Sequence, residues 1–303
     1  MTDGLSLDLE AFLLREREEV EQALERSLES FVGDIATDLA APVRHAVMTG
    51  GKRLRPILCT VAYRTCGETT GPAVYDLGVS LELVHAYSLM HDDLPCMDDA
   101  ELRRGRPTPH TLYGGEATIR AGLALIPTAS LQALRAARTL GCDEDTIRAI
   151  VRELNQAAGG GGMVGGQYLD LLAEGRALTS QELDALHRKK TGALLTASLV
   201  IGGLAARASE STLSGLRGYG RAVGLAFQVA DDILDETSSA ADLGKNPSDG
   251  LLEKSTYVSL HGVEEAIRRA RALTDEAIEV LRAAAIEAPE LVALAHYVVE
   301  RKR

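Results

Sequence analysis

The sequence predicts an all-α fold, a single domain with several long core helices. Three observations carry this. Ala, Leu, Glu and Arg dominate the chain, and these residues favour helix. Apolar residues recur at spacings of three and four over long stretches. Runs of alternating β-branched residues, the mark of strands, do not occur. The 303 residues are enough to bury a sizeable core, and 46% of them are hydrophobic. No stretch has the composition of a domain linker, and no internal repeat is found.

A formal net charge of −12 argues against a nucleic-acid partner. Cys59, Cys66, Cys96 and Cys142 show no metal-type spacing and imply no disulfide framework. The N-terminus lacks a basic region followed by an apolar one, so no secretory signal is read. Ala193 to Ala206 is too short an apolar stretch to span a bilayer. The expectation is a cytoplasmic soluble protein.

From the N-terminus, Leu9, Leu13, Val20, Leu24, Leu28 and Phe31 lie at helical spacing among charged residues. Gly50-Gly51-Lys52-Arg53-Leu54-Arg55-Pro56 precedes an apolar run, with Pro56 suited to a helix first turn. Backbone amides at that start, with three cations, would take an anion. The segment 72–93 reads as helix, and Ala73 to Met90 is apolar nearly all round, as a central helix should be. On it Leu81, His85, Ser88 and Asp92 share a face.

An acidic motif ends that helix: Asp92-Asp93-Leu-Pro-Cys-Met-Asp98-Asp99. A continuous helix would turn Asp98 roughly 240° from Asp92. Pro95 disfavours helix at Leu94 and removes a donor, so a bulge at Pro95-Cys96 would swing Asp98 back. Carboxylate oxygens with open positions suit Mg²⁺, which keeps waters and takes phosphate oxygens. The next tract, Leu102-Arg103-Arg104-Gly105-Arg106-Pro107, sets phosphate-binding arginines beside metal-binding acids.

Helices are expected near 116–140, 143–158, 180–206, 212–236 and 262–285. Gly159 to Gly162 lacks the ending of a phosphate-binding loop and reads as close helix approach. Lys189-Lys190-Thr191 precedes the apolar run Ala193 to Ala206. A second acidic motif comes next, Asp231-Asp232-Ile-Leu-Asp235. Gly224, Gln228, Asp231 and Asp235 share one helix face, so two carboxylates one turn apart can share a metal ion. Lys245 and Lys254 sit in the polar stretch beyond it.

Together these residues resemble a known family. Gly51-Lys-Arg-Leu-Arg-Pro56, His91-Asp-Asp-Leu-Pro-Cys-Met-Asp-Asp99, Leu102-Arg-Arg-Gly-Arg-Pro-Thr108, Gly162-Met-Val-Gly-Gly-Gln167, Lys190-Thr191, Phe227-Gln-Val-Ala-Asp-Asp-Ile-Leu-Asp235 and Lys254-Ser-Thr-Tyr257 are similar to trans-isoprenyl diphosphate synthases, in the farnesyl/geranylgeranyl branch. The resemblance runs from about residue 40 to 260. It implies an isoprenoid-synthase fold, one domain over 1–303 of long helices around a central cavity, in which 1–35 is an N-terminal helix, 36–260 carries the motifs and 261–303 holds C-terminal helices. A homodimer is implied as well.

By the same resemblance, Asp92 and Asp98 would hold two Mg²⁺ ions and Asp231 a third, with Asp235 in support. Arg103, Lys190 and Lys245 would hold an allylic diphosphate, dimethylallyl or geranyl. Lys52, Arg55, His85 and Arg104 would hold isopentenyl diphosphate. Thr191 and Gln228 would face the allylic cation. Tyr87 and Ser88, just before the first motif, would floor the product tunnel, and the aromatic Tyr87 with the Pro95-Cys96 insertion implies a farnesyl product. A geranylgeranyl or geranyl product is the alternative. A terpene cyclase would not need the Lys52/Arg55/His85 set, and a silent partner subunit could lose an acidic motif that here is intact. Two departures stand out: Leu123 replaces an acid common in the family, and Pro127 falls in an expected helix interior, at a usual cost of about 3 kcal/mol.

Overall fold

The computed structural model describes residues 7–33, 35–237 and 255–300. The helices are α1 (Leu9–Val32), α2 (Thr37–Met48), α3 (Leu54–Thr65), α4 (Pro72–Asp92), α5 (Pro109–Tyr113), α6 (Gly115–Thr139), α7 (Glu144–Ala158), α8 (Met163–Ala173), α9 (Ser180–His187), α10 (Ala193–Ala205), α11 (Glu210–Thr237), α12 (Tyr257–His261), α13 (Val263–Ala283) and α14 (Pro289–Glu300). The chain caps several of them from its own sequence. Asp8 accepts from the Ala11 amide at α1, and Asp143 accepts from the Thr146 amide at α7. Thr179 and Glu182 form a reciprocal capping box at α9.

Two helices lie at the centre, as their apolar circumference requires. α4 packs against α1, α2, α3 and α6, while α10 packs against α3, α7 and α11. Their buried residues, such as Leu77, Leu81, Met90, Leu199 and Ile201, belong to one continuous core. α3 lies between the two, and α13 covers α11 from outside.

The structure departs from the sequence reading in two places. The segment 180–206 is helical almost throughout, as read, but Arg188–Gly192 forms a π-helical turn that joins α9 to α10. A short antiparallel hairpin, β1 (Leu102–Arg103) and β2 (Arg106–Pro107), comes after the first acidic motif. Arg104 and Gly105 take positive φ at its tip, the two-residue turn that matches strand twist. Strands of two residues are too short to show alternation, which is why the sequence hides them.

Candidate active site

The first acidic motif folds back on the end of α4. The Asp98 amide donates to the Asp92 carbonyl at 2.9 Å, and the Met97 and Asp99 amides both donate to the Leu94 carbonyl. The bulge read from Pro95 is therefore present, and it sets Asp98 beside Asp92. Asp93 turns the other way and is buried. Its carboxylate accepts from Arg103 Nε at 2.8 Å and from Nη2 at 2.6 Å. This two-toothed pair fixes the hairpin against α4. Arg104, at the hairpin tip, donates to the Gly50 carbonyl. Gly51 takes a φ of +128°, which residues with a side chain rarely adopt, so glycine suits the point where the basic tract meets the hairpin.

Within the basic tract the cations divide. Arg53 is buried, with left-handed φ at the start of α3. It donates to Glu82 Oε1 and Glu21 Oε1, each at 2.7 Å, and to the Val47 carbonyl at 2.9 Å. It is thus a structural anchor for its neighbours. Arg55 is half-buried with a buried Nε that has no protein partner. Burial lowers its pKa to about 10, Arg104 adds to the shift, and Glu82 and Asp231 oppose it. His85 is held well below its ordinary value, first by burial and then by Arg55, Arg104, Arg103 and Arg53. It is neutral at pH 7 and can donate one N–H. Lys52 is exposed and lines, with Leu54, Phe227 and Tyr297, a cavity of about 380 Å³.

The second motif completes the site. Asp231 acts on Arg55, and Lys190 acts on Asp92, so the ends of α4 and α11, the basic tract and the π turn share one electrostatic field. Thr191 Oγ1 donates to Gln228 Oε1 at 2.7 Å. Lys190 Nζ pairs with Asp170 of α8 at 2.6 Å. Asp232 is buried and accepts from the Tyr257 amide at 2.8 Å. His187, just before the π turn, stacks on the Tyr257 ring with centroids 5.8 Å apart.

The carboxylates suit a cation. Burial raises the Asp92 pKa to about 6, against the pull of Lys190, and Asp98 pushes it up further. Two close carboxylates in a partly dry site favour a bound cation that compensates both. Among the described residues no three His, Cys, Asp or Glu side chains converge to hold an ion. The Asp92 and Asp98 carboxylate oxygens are hard donors of the kind Mg²⁺ accepts together with water and phosphate oxygens.

Of the residues expected from sequence, the structure brings together Asp92, Asp98, Arg103, Lys190, Thr191, Gln228, Asp231, Arg55, His85 and Arg104 through these contacts and fields. Asp235 lies one helical turn beyond Asp231 on α11. Tyr87 is buried on α4 with its ring edge-on to His91 at 5.4 Å, and the Ser88 hydroxyl donates to the His85 carbonyl. Lys245 and Lys254 lie outside the described residues. The partners Asp93, Asp170 and His187 are new at this level, since ion pairs and ring contacts between separate elements leave no local signal in sequence. Gln167 stands out in sequence only as part of its glycine-rich motif. Its buried amide has no protein partner, and it lies one turn before Asp170 on α8.

Known proteins resemble this chain in sequence and in fold. The chain matches the polyprenyl synthetase family over residues 36–294. It is 38% identical over 299 residues to a chloroplastic geranylgeranyl pyrophosphate synthase of Catharanthus roseus, covering 98% of this chain and 82% of that protein. Other curated relatives of similar identity are mostly named as geranylgeranyl synthases. An FPP/GFPP synthase structure from Zymomonas mobilis superposes with a TM-score of 0.84 at 33% identity, covering 95% of this chain and 99% of that one. A geranyltransferase from Helicobacter pylori, complexed with magnesium and isoprenyl diphosphate, superposes at 0.79 with 29% identity and 98% coverage of both chains. No described helix is long and apolar enough to cross a membrane.

Proposed function

This chain belongs to the polyprenyl synthetase family, and from that premise we propose that it condenses isopentenyl diphosphate with an allylic diphosphate and stops at geranylgeranyl length. Its all-α isoprenoid-synthase fold and its standing as a short-chain trans-prenyltransferase come from the family and the matched structures. The observation that carries the site assignment is the convergence of Asp92 and Asp98 on a field shared with Lys190, Arg103 and Asp231.

In the proposed mechanism Asp92, Asp98 and Asp231, with Asp235 in support, would hold Mg²⁺ for the allylic diphosphate. Mg²⁺ held there would supply charge neutralisation to the departing diphosphate. Arg103, Lys190 and Lys245 add fixed positive charge at the same oxygens. Lys52, Arg55, Arg104 and neutral His85 hold isopentenyl diphosphate, so that its double bond lies in line with the allylic carbon. Thr191 and Gln228 turn oxygen dipoles towards the cation. A proton then leaves to the released diphosphate, and the new chain is five carbons longer. Water must be kept from the cation, or it is lost as an alcohol.

The product length rests on the relatives. The fifteen-carbon product expected from Tyr87 has less support than the twenty-carbon one, because the curated relatives are mostly named for geranylgeranyl diphosphate. A farnesyl product is the second reading, favoured by the burial of Tyr87 on α4, five residues before Asp92, and by the FPP part of the FPP/GFPP name on the Zymomonas mobilis structure. A homodimer, one domain over 1–303 and a cytoplasmic location complete the proposal. The test is incubation with isopentenyl diphosphate, Mg²⁺ and labelled dimethylallyl, geranyl or farnesyl diphosphate, with products separated by chain length. Extension of farnesyl diphosphate supports the twenty-carbon reading. Arrest at fifteen carbons, relieved in Tyr87→Ala, supports the second. No elongation from any starter overturns both.

A further inference from the structure

The turn that carries Lys190 and Thr191 is π-helical, and two other helices close on it. An extra residue in a helical turn rotates the downstream helix by roughly 100° relative to a continuous α-helix. Gly166 of α8 lies against this turn: a Cβ there would stand 2.5 Å from Lys190 Cα and 2.8 Å from the Lys189 carbonyl carbon. Gly224 of α11 lies against its end, where a Cβ would stand 2.8 Å from Gly192 Cα. Both obstacles are backbone, so no rotamer change relieves them. Four residues after Gly166, Asp170 holds Lys190; four residues after Gly224, Gln228 accepts from Thr191. Each helix thus offers a glycine for close approach and, one turn later on the same face, the polar group that ties a side chain of the turn.

We propose that Gly166 and Gly224 are positioning residues that set where the Lys190 ammonium and Thr191 hydroxyl stand relative to the allylic carbon. The proposal rests on the roles assigned to Lys190 and Thr191 in the proposed function. Its chemical consequence is the fate of the cation. The allylic C–O bond breaks and its electron pair leaves on diphosphate. In elongation the isopentenyl π pair forms the new C–C bond, and a proton passes to diphosphate. In the leak a water oxygen forms a C–O bond instead, loses a proton to diphosphate and gives a prenyl alcohol. A turn pushed away from the allylic carbon favours the leak.

The experiment compares wild type, Gly166→Ala, Gly224→Ala and a matched control, Gly218→Ala, each with Mg²⁺, labelled geranyl diphosphate and isopentenyl diphosphate. In the control a Cβ would meet Val280 Cγ1 at 2.8 Å, a side chain on α13 rather than the turn. Both clamp variants are expected to lose kcat by up to about a hundredfold, the effect of a misplacement of about 1 Å, with a raised share of prenyl alcohol. The control is expected to change melting temperature alone. Folded clamp variants with an unchanged alcohol share, or a control that leaks equally, overturn the proposal. Should Gly166→Ala not fold, Gly224→Ala carries the same expectation, because its obstacle is a single Cα. Wild type that does not elongate overturns the assigned function, and the positioning role with it.

Discussion

Burial decides the charge of His85, and that has a measurable consequence. Its folded pKa is well below the ordinary 6.5, first through burial and then through four arginines. Between the two values the unfolded chain binds a proton that the folded chain refuses. The stability contributed is therefore complete above about pH 6.5 and is lost as pH falls towards the folded value. Thermal melting from pH 7.5 down to 5 should show this decline, and His85→Gln should flatten it; an unchanged slope in the variant would refute the assignment. Asp93 and Arg103 make a second residue-scale case. Replacing Asp93 by Asn leaves a guanidinium without its counter-charge, at a cost of about 3 kcal/mol in urea unfolding. Because the two residues act as one unit, Asp93→Asn with Arg103→Ala should cost less than the two single changes added; strict additivity would show that the pair is not coupled. Neither effect is legible in the sequence, where Asp93 reads as one of four similar acids. Asp98 is different: its return to Asp92 stems from Pro95, a local backbone constraint that sequence does record.

Elements with their own periodicity and caps are the legible ones. The segments 72–93, 116–140, 143–158 and 212–236 are expected as helix, and α4, α6, α7 and α11 match them closely because each carries a long apolar pattern. α2 escapes a sequence reading because Pro42 interrupts its pattern, and α8 because glycines dilute it. The π turn has no signature, since its geometry comes from the helices packed on it. Pro127 gives the prediction at this scale. α6 runs through it unbroken, with Pro127 and Leu123 on the solvent side. In the isolated subunit the carbonyl of Leu123, four residues back, loses its amide partner where water can replace it. Pro127→Ala should therefore raise unfolding stability by less than the usual penalty of about 3 kcal/mol for an interior proline. A destabilised variant would show that the proline is needed for the packing of α6.

The described helices leave two apolar stripes uncovered, Val164, Tyr168 and Leu172 on α8 and a second on α6, and the α6 stripe lies behind the first acidic motif. Ile119, Leu123 and Leu131 on the outer side of α6 are 40%, 54% and 52% exposed, with Leu112 and Tyr113 of α5 also exposed. The three on α6 are spaced by four and eight residues, so they form a stripe rather than a scatter. Contiguous apolar surface of this kind marks an interface, and the proposed homodimer gives it an occupant. In a two-fold dimer each residue is buried twice, once per subunit. Losing a leucine with about half its surface left to bury, worth about 1 kcal/mol, therefore weakens association by about 2 kcal/mol, roughly thirtyfold in Kd, and the buried charge of an aspartate adds to that. Sedimentation velocity over a range of concentrations should show a dimer for wild type and a monomer for Leu123→Asp. The consequence reaches the site, because α6 backs the first acidic motif: His91 Nε2 lies 3.3 Å from the Ile119 carbonyl, and Asp92 is the next residue. Monomeric Leu123→Asp should therefore elongate more slowly, and raising the protein concentration until it dimerises should restore the rate. A variant that sediments as wild type would remove this face from the interface, and a monomer with full activity would uncouple the interface from Asp92.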